Sequence, residues 1–379
     1  MNDWDDAERR VERAQELFEQ RVALEGIEAS VQQTLGQGAP GMMVAAAVDG
    51  GPMLAMPRGR ANLEHDVPLA RGSVFPLASV TKQFTAALIL SLREEGRLKL
   101  EDPLSRYIPE LPQAGRVTLY QLLVQTSGLP DYSEDPAGSA SKSVARTPAE
   151  MVAWIARLQP AFQFEPGTRW AYSNSNYVLL GLVAERAGGK PLAALFEERL
   201  FRPAGLKVTA IDDPTHVVTG RVQGYRRDRK VAAGFTNAAW ISPTIPGPAG
   251  GLRSTADDLI RWTDALFGGR VLKPESLKLM LAPGRLNDGR TTRLGMPADW
   301  QRGMNADYAM GLFVTPGASG PRYWHPGDVD GFSTWLAYDP QPKVTIVLMV
   351  NSESASMDRD MIATHVLAWR AQRCESKLE

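Results

Sequence analysis

At 379 residues, 44% apolar and 22% charged, the chain has the composition of a globular protein large enough for two lobes around a substantial core. With 42 basic against 43 acidic residues and no Lys/Arg run, it lacks the electrostatic footprint of a nucleic-acid binder. One cysteine, Cys374, excludes a disulfide framework and the paired-thiol spacings of redox and zinc sites; it is expected on a C-terminal tail.

The chain opens with MNDWDDAERRVERAQELFEQRV, acidic and amphipathic, without the basic start and apolar stretch of a secretory signal. The longest apolar stretches, such as Phe84–Leu92, are too short to span a bilayer. The expectation is a cytoplasmic protein with no membrane span. Helical periodicity covers residues 5–35, so 1–35 is set apart as an N-terminal helical segment. Two strand candidates follow, Met42–Val48 and Met53–Arg58, around a turn signal at Asp49-Gly50-Gly51. A long apolar helix is expected from Ser79 to Gly96. Helical patterns then recur at Thr118–Gln125, Pro148–Leu158, Asn176–Ala187 and Pro191–Leu200. Residues 207–250 give no clear pattern. Helices are expected at Ser254–Phe267 and Pro274–Leu281. Strands are expected at Tyr308–Thr315, Arg322–His325, Phe332–Tyr338 and Val344–Asn351, before a last helix at Arg359–Arg370. Strands at both ends and helices between them point to one sheet completed by both termini. Residues 36–379 then form one catalytic domain, with an α/β lobe (about 36–95 and 206–379) and a helical lobe (about 96–205). The active site is expected between the lobes.

Ser79-Val80-Thr81-Lys82 heads the apolar helix. Residues three apart share a helix face, so the Lys82 ammonium can reach the Ser79 hydroxyl. Serine is a poor nucleophile until a base takes its proton, and a lysine with an ordinary pKa near ~10.4 must be perturbed to be that base. The helix N-terminus adds backbone N–H groups for a developing oxyanion. The spacing alone is weak: about one match is expected by chance in a chain this long, and Ser139-Ala140-Ser141-Lys142 also fits. That copy lies in a Gly/Ser/Asp-rich stretch with no apolar helix behind it, and reads as an exposed loop.

Two further elements stand out. Tyr172-Ser173-Asn174 enters a helix, where a phenol can relay protons if a cation lowers its pKa, and the Asn174 amide can donate to a substrate carbonyl. Read alone, these two are an aromatic anchor and an Asn cap. Trp324-His325-Pro326-Gly327-Asp328 lies on a strand candidate, where His325 can orient substrate and Gly327 lets it lie against the backbone. Read alone, such a histidine is structural.

The triple S-x-x-K, Y-x-N and H-x-G, in this chain order, resembles the penicillin-binding protein and class C β-lactamase superfamily. SVFPLASVTKQFTA, VTLYQLLVQTSGLPDY, WAYSNSNYVLLGLVAE, GPAGGLRSTADDLIRW and WHPGDVDGFSTW are similar to it as well, so the resemblance runs from about residue 40 to the last strand. It implies an α/β fold, an antiparallel sheet flanked by helices, beside an all-α lobe. It implies Ser79 as nucleophile, Lys82 and Tyr172 as the acid–base pair, Asn174 as a substrate contact, and backbone N–H groups of Ser79 and Asp328 as the oxyanion hole. Tyr132, in GLPDY, falls where the family has a pocket-lining residue. The resemblance implies neither metal nor organic cofactor.

One departure matters for substrate. Class C β-lactamases carry Lys where this chain has His325, a poorer fixed partner for a β-lactam carboxylate. His at this place resembles the D-aminopeptidases, DD-peptidases and some esterases of the family. The expected substrates are small esters, or amides and peptides of D-amino acids. A DD-peptidase or weak β-lactamase is the alternative enzyme, and a catalytically silent binding protein the alternative of another class. Asp131, Glu134, Asp135, Asp328 and Asp330 are candidates to meet a substrate ammonium, and Arg322 a terminal carboxylate. The sequence leaves the oligomeric state open. Competing motifs fail on context: Gly36-x-Gly38-x-x-Gly41 follows a helix and precedes a strand, the reverse of a dinucleotide site. There is no G-x-S-x-G or H-E-x-x-H, and Asp328-Val329-Asp330-Gly331 lacks the other ligands of a calcium loop.

Overall fold

The computed structural model describes residues 21–33, 35, 39–48, 54–136, 141–299, 301, 305–317, 319–353 and 358–375, with side chains as far as Trp369. Ser139, the Asp49-Gly50-Gly51 turn, Gly36, Gly38 and the first 20 residues lie outside the described residues.

Both ends of the chain build one sheet. Its strands are β1 (Met42–Val48), β2 (Leu54–Arg58), β3 (Asp307–Tyr308), β4 (Phe313–Thr315), β5 (Arg322–Val329), β6 (Phe332–Asp339) and β7 (Val344–Val350). The order is β3-β4-β5-β6-β7-β1-β2, antiparallel throughout. β1 and β7 pair from Met42↔Val350 to Val48↔Val344, so the two ends of the chain lock together at the sheet centre. Every residue of both strands is buried, which explains their unbroken apolar runs: each face has its own helical cover. On one face Met42, Val44 and Ala46 pack with Ile27 and Val31 of α1 (residues 21–33) and Ile362 and Val366 of α6 (Arg359–Glu375). On the other, Met43 and Ala45 belong to the main core, with α2 (Thr81–Glu94) and α5 (Ala256–Phe267). The side chains alternate with the strand period of two.

The second lobe is helical, with α3 (Pro148–Arg157) and α4 (Asn174–Gly188) its longest members. Thr147 and Glu150 form a reciprocal capping box at the start of α3, and Pro148 fills its first turn. Every residue of α2 from Thr81 to Leu92 is buried, and Phe84 stacks on Trp262 of α5 at 4.0 Å between centroids. α2 is thus the central rod against which both lobes pack.

Several expected boundaries shift. The helix expected from Ser79 is a short 3-10 turn, Ala78–Val80, followed by α2. α4 begins at Asn174, two residues earlier than expected, which puts Asn174 in its first turn. The strand expected at Tyr308–Thr315 is broken into β3 and β4 by Gly311 at φ +77°. A Cβ there would lie 2.6 Å from the Lys82 carbonyl oxygen, so the break is where this segment meets α2. β5 continues to Val329 and carries all of His325–Asp328. Cys374 falls within α6 rather than on a tail.

Candidate active site

Ser79 sits in the turn between a short strand (Phe75–Pro76) and α2. The turn is clamped from two sides. Leu77 N–H donates to the Leu252 carbonyl at 2.8 Å, and Leu252 N–H donates to Thr81 Oγ1 at 3.2 Å. On the opposite side β5 lies so close that a Cβ on Gly327 would stand 2.2 Å from the Leu77 carbonyl oxygen and 3.1 Å from Ser79 N. Ala78 is held at φ +44°, a left-handed conformation that a non-glycine residue adopts only when its surroundings impose it.

Lys82 Nζ stands 3.0 Å from Ser79 Oγ, 2.8 Å from Asn174 Oδ1 and 2.8 Å from the Ala249 carbonyl oxygen, and the side chain is fully buried. Among the described residues, its hydrogen-bond partners are neutral acceptors. Burial therefore pulls its pKa from 10.5 down to about 7, against the attraction of Asp131. Asn174 is oriented by its other atoms: its amide donates to Asp131 Oδ2 at 3.0 Å and Ser133 Oγ at 3.2 Å, and its backbone N–H donates to Asp131 at 3.0 Å. An Asp131–Asn174–Lys82 chain thus fixes the ammonium beside the serine.

Tyr172 lies over the same group, its ring centroid 4.8 Å from Lys82 Nζ. Its Oη is buried and is directed at Ser79. Burial first, then Tyr308, raises its pKa well above 10.0; nearby Ser79 opposes this without reversing it. Tyr172 is a phenol at neutral pH. The cleft in front of Ser79, about 260 Å³, is lined by Tyr132, Lys142, Asn174, Asp328 and Asp330 among others.

A sequence model for the family described as Beta-lactamase matches residues 14–368. The chain belongs to the beta-lactamase family. Its members are serine hydrolases, and this chain is one of them. Penicillin-binding protein 4* of Bacillus subtilis (strain 168) is 29% identical over 323 residues, covering 82% of this chain and 68% of that protein. The D-alanyl-D-alanine-carboxypeptidase/endopeptidase AmpH of Escherichia coli (strain K12) is 31% identical over 233 residues, covering 60% of this chain and 57% of that protein. The D-stereospecific amidohydrolase from Streptomyces sp. superimposes with a TM-score of 0.73 at 25% identity, over 88% of this chain and 97% of that one.

Within this family architecture, Ser79, Lys82, Tyr172 and Asn174 converge as the sequence suggests, but several other candidates do not lie where they were expected. His325 is 1% exposed and does not line the cleft. It packs among Tyr172, Tyr308 and Phe313, with Nε2 3.2 Å from Tyr308 Oη. Burial, aided by Lys82, lowers its pKa to about 3, so it is neutral. Gly327 gives room to the serine turn rather than to a ligand. Both amide hydrogens of Asn174 are engaged within the protein. Tyr132 lines the cleft with its ring, while its hydroxyl donates to the Ile245 carbonyl at 2.7 Å. Asp328 lines the cleft, but its carboxylate accepts from Ser333 at 2.6 Å and stands 3.9 Å from Arg359 Nη2, on the sheet face away from Gly327 and the serine turn. Arg322 is committed to Asp339 by two bonds of 2.8 and 2.9 Å. Lys142, read from sequence as part of an exposed loop, instead lines the cleft and pairs with Asp330. Tyr308, which backs His325, carried no motif signal.

Proposed function

We propose that Ser79 is the nucleophile of an acyl-transfer hydrolase acting on small carboxylic esters or amides of D-amino acids. The observation that carries this reading is the fully buried Lys82 ammonium, 3.0 Å from Ser79 Oγ, with its pKa near neutrality. Neutral Lys82 accepts the hydroxyl proton as Oγ adds to the substrate carbonyl. Backbone N–H groups of Ser79 and Asp328 receive the oxyanion: the 325–329 half of β5 lies beyond its pairing with β4, and the serine turn packs there instead. Tyr172, held as a phenol, passes a proton to the leaving group and is replenished from Lys82. Water then repeats the sequence on the acyl-enzyme.

The D-stereospecific amidohydrolase from Streptomyces, matched over nearly its whole length, supports the amide side of this reading. The neutral, buried His325 weighs against β-lactam hydrolysis, because it offers no cation to the β-lactam carboxylate. A fluorophosphonate should label Ser79 alone, as read by peptide mass spectrometry, and Ser79→Ala should lose both the adduct and turnover. A panel of p-nitrophenyl esters, D-amino-acid amides, D-Ala-D-Ala peptides and nitrocefin then ranks the substrates. Absence of any adduct would favour a silent binding protein, and nitrocefin turnover far above every ester would replace this reading with a β-lactamase.

A further inference from the structure

The cleft does not end at the serine. A second cavity of about 180 Å³ shares Ile241, Pro246, Gly250, Val329 and Asp330 with it, so the two are compartments of one groove. The walls of the second compartment are apolar: Phe75, Val222, Leu252 and Phe332, with Trp240 on the rim, 52% exposed. A large exposed indole over an apolar hollow marks a binding surface rather than a core.

The lining also carries four charged groups, Asp212, Arg221, Arg253 and Asp330, of which Asp330 is taken by Lys142. Arg221 is bound to Asp212 by two bonds of 2.9 and 2.8 Å, one to each carboxylate oxygen. Arg253 stands 3.8 Å from the same carboxylate, and its Nη1 donates to the Ile211 carbonyl over a long 3.4 Å. Arg253 Nε, itself buried, is the atom that faces Asp212 Oδ1 at 3.8 Å, an ion-pair contact beyond hydrogen-bond reach. With Asp330 paired to Lys142, the two guanidiniums share the Asp212 carboxylate, leaving a net positive charge at the apolar compartment. A partly exposed guanidinium that lines a cavity, with its carboxylate only at ion-pair distance, has its outer nitrogens to offer an acid from outside the chain.

We infer that this compartment binds the distal part of the substrate, an apolar segment ending in a carboxylate that Arg253 receives. The inference rests on the acyl-transfer reading above and narrows its substrates to esters or amides that carry a remote acid. The register limits their length. Arg253 pairs with Pro76, three residues before Ser79. Paired strands lie about 5 Å apart and three residues span at most about 11 Å, so the two Cα atoms are within roughly 16 Å. A chain of a few methylenes, or one aromatic ring, bridges that distance once the arginine's own reach is counted.

Two series of p-nitrophenyl and simple alkyl esters test this, one with the acid on the acyl side and one on the alcohol side. Each free acid is compared with its methyl-capped twin. Wild-type protein should prefer the free acid of matched length by tenfold or more in kcat/KM in one series. Arg253→Gln should bring that ratio close to one, and Arg253→Lys should restore much of it. The ratio is taken within each variant, so a general loss of activity cancels. Calorimetry on the Ser79→Ala protein gives the same comparison without turnover: the free acid should bind tighter than the capped ester, and the Ser79→Ala/Arg253→Gln protein should lose the difference. Equal binding and equal turnover of acid and capped forms would overturn the assignment. Failure of every ester to turn over, with the binding difference intact, would sink the hydrolase reading and leave the compartment standing.

Discussion

At the scale of single residues, the site depends on one buried amine. The pKa of Lys82 falls because contact neighbours are neutral acceptors while burial removes water; Asp131 limits the fall. The base form is the deprotonated one, so kcat/KM should rise with pH through an ionisation near 7. His325 cannot be that group, since its own pKa is near 3. Asp131→Asn removes the attraction that favours the ammonium, so the rising limb should move to lower pH. A pH profile flat from 6 to 8, or a limb that moves upward in Asp131→Asn, would contradict Lys82 as the base. The Ser79–Lys82 contact was legible in the sequence because it is local, set by a spacing of three residues. His325 was misread for the opposite reason. Its setting is made by Tyr172, Tyr308 and Phe313, from three other segments, and no local pattern announces that burial.

At the scale of elements, the serine turn is shaped by what presses on it. The sequence located α2, α5 and the central strands, where periodicity or unbroken apolar runs are long. It missed the break between β3 and β4, because the cause is the close approach of Gly311 to the Lys82 backbone rather than a turn motif. It also gave Gly327 the wrong neighbour. A Cβ at 327 would meet the Leu77 carbonyl oxygen at 2.2 Å, a backbone atom that cannot swing aside. Gly327→Ala should therefore displace the turn by some tenths of an ångström or more. The expected cost is about 1–3 kcal/mol in stability and on the order of 100-fold in acylation, as misplacement of reacting groups commonly costs. Gly96→Ala is the control: Gly96 has φ +71° but nothing within 4 Å of the added carbon. It should lose about 1 kcal/mol of stability and leave the burst of p-nitrophenolate unchanged. Burst kinetics and thermal unfolding on both variants separate the outcomes, and a Gly327→Ala burst equal to wild type would remove the clamp from the account.

At the scale of the whole molecule, the two lobes meet across the cleft through charge. Lys142 comes from the helical side, and Asp330 from the turn between β5 and β6; their side chains are 32% and 21% exposed. The loop carrying Lys142 is also tied down, its carbonyl accepting from Ser242 N–H at 2.9 Å. A partly solvated pair of this kind contributes only about 0–1 kcal/mol to stability. Its larger effect is on what the cleft attracts, because Asp330 cancels a cation that faces the nucleophile's pocket. With His325 sealed behind Tyr172, replacing it by lysine would bury a charge rather than present one to a ligand. Asp330→Asn is the substitution that frees a cation at the cleft. It should raise the ratio of nitrocefin or D-Ala-D-Ala peptide turnover to p-nitrophenyl acetate turnover several-fold, with little change in melting temperature. Lys142→Met should lower the same ratio. Because both side chains reach solvent, the gain should shrink as salt rises, screening being nearly complete beyond about 8 Å at physiological ionic strength. An Asp330→Asn ratio that stays at the wild-type value at low salt would show that the pair holds the lobes without reading the substrate's charge.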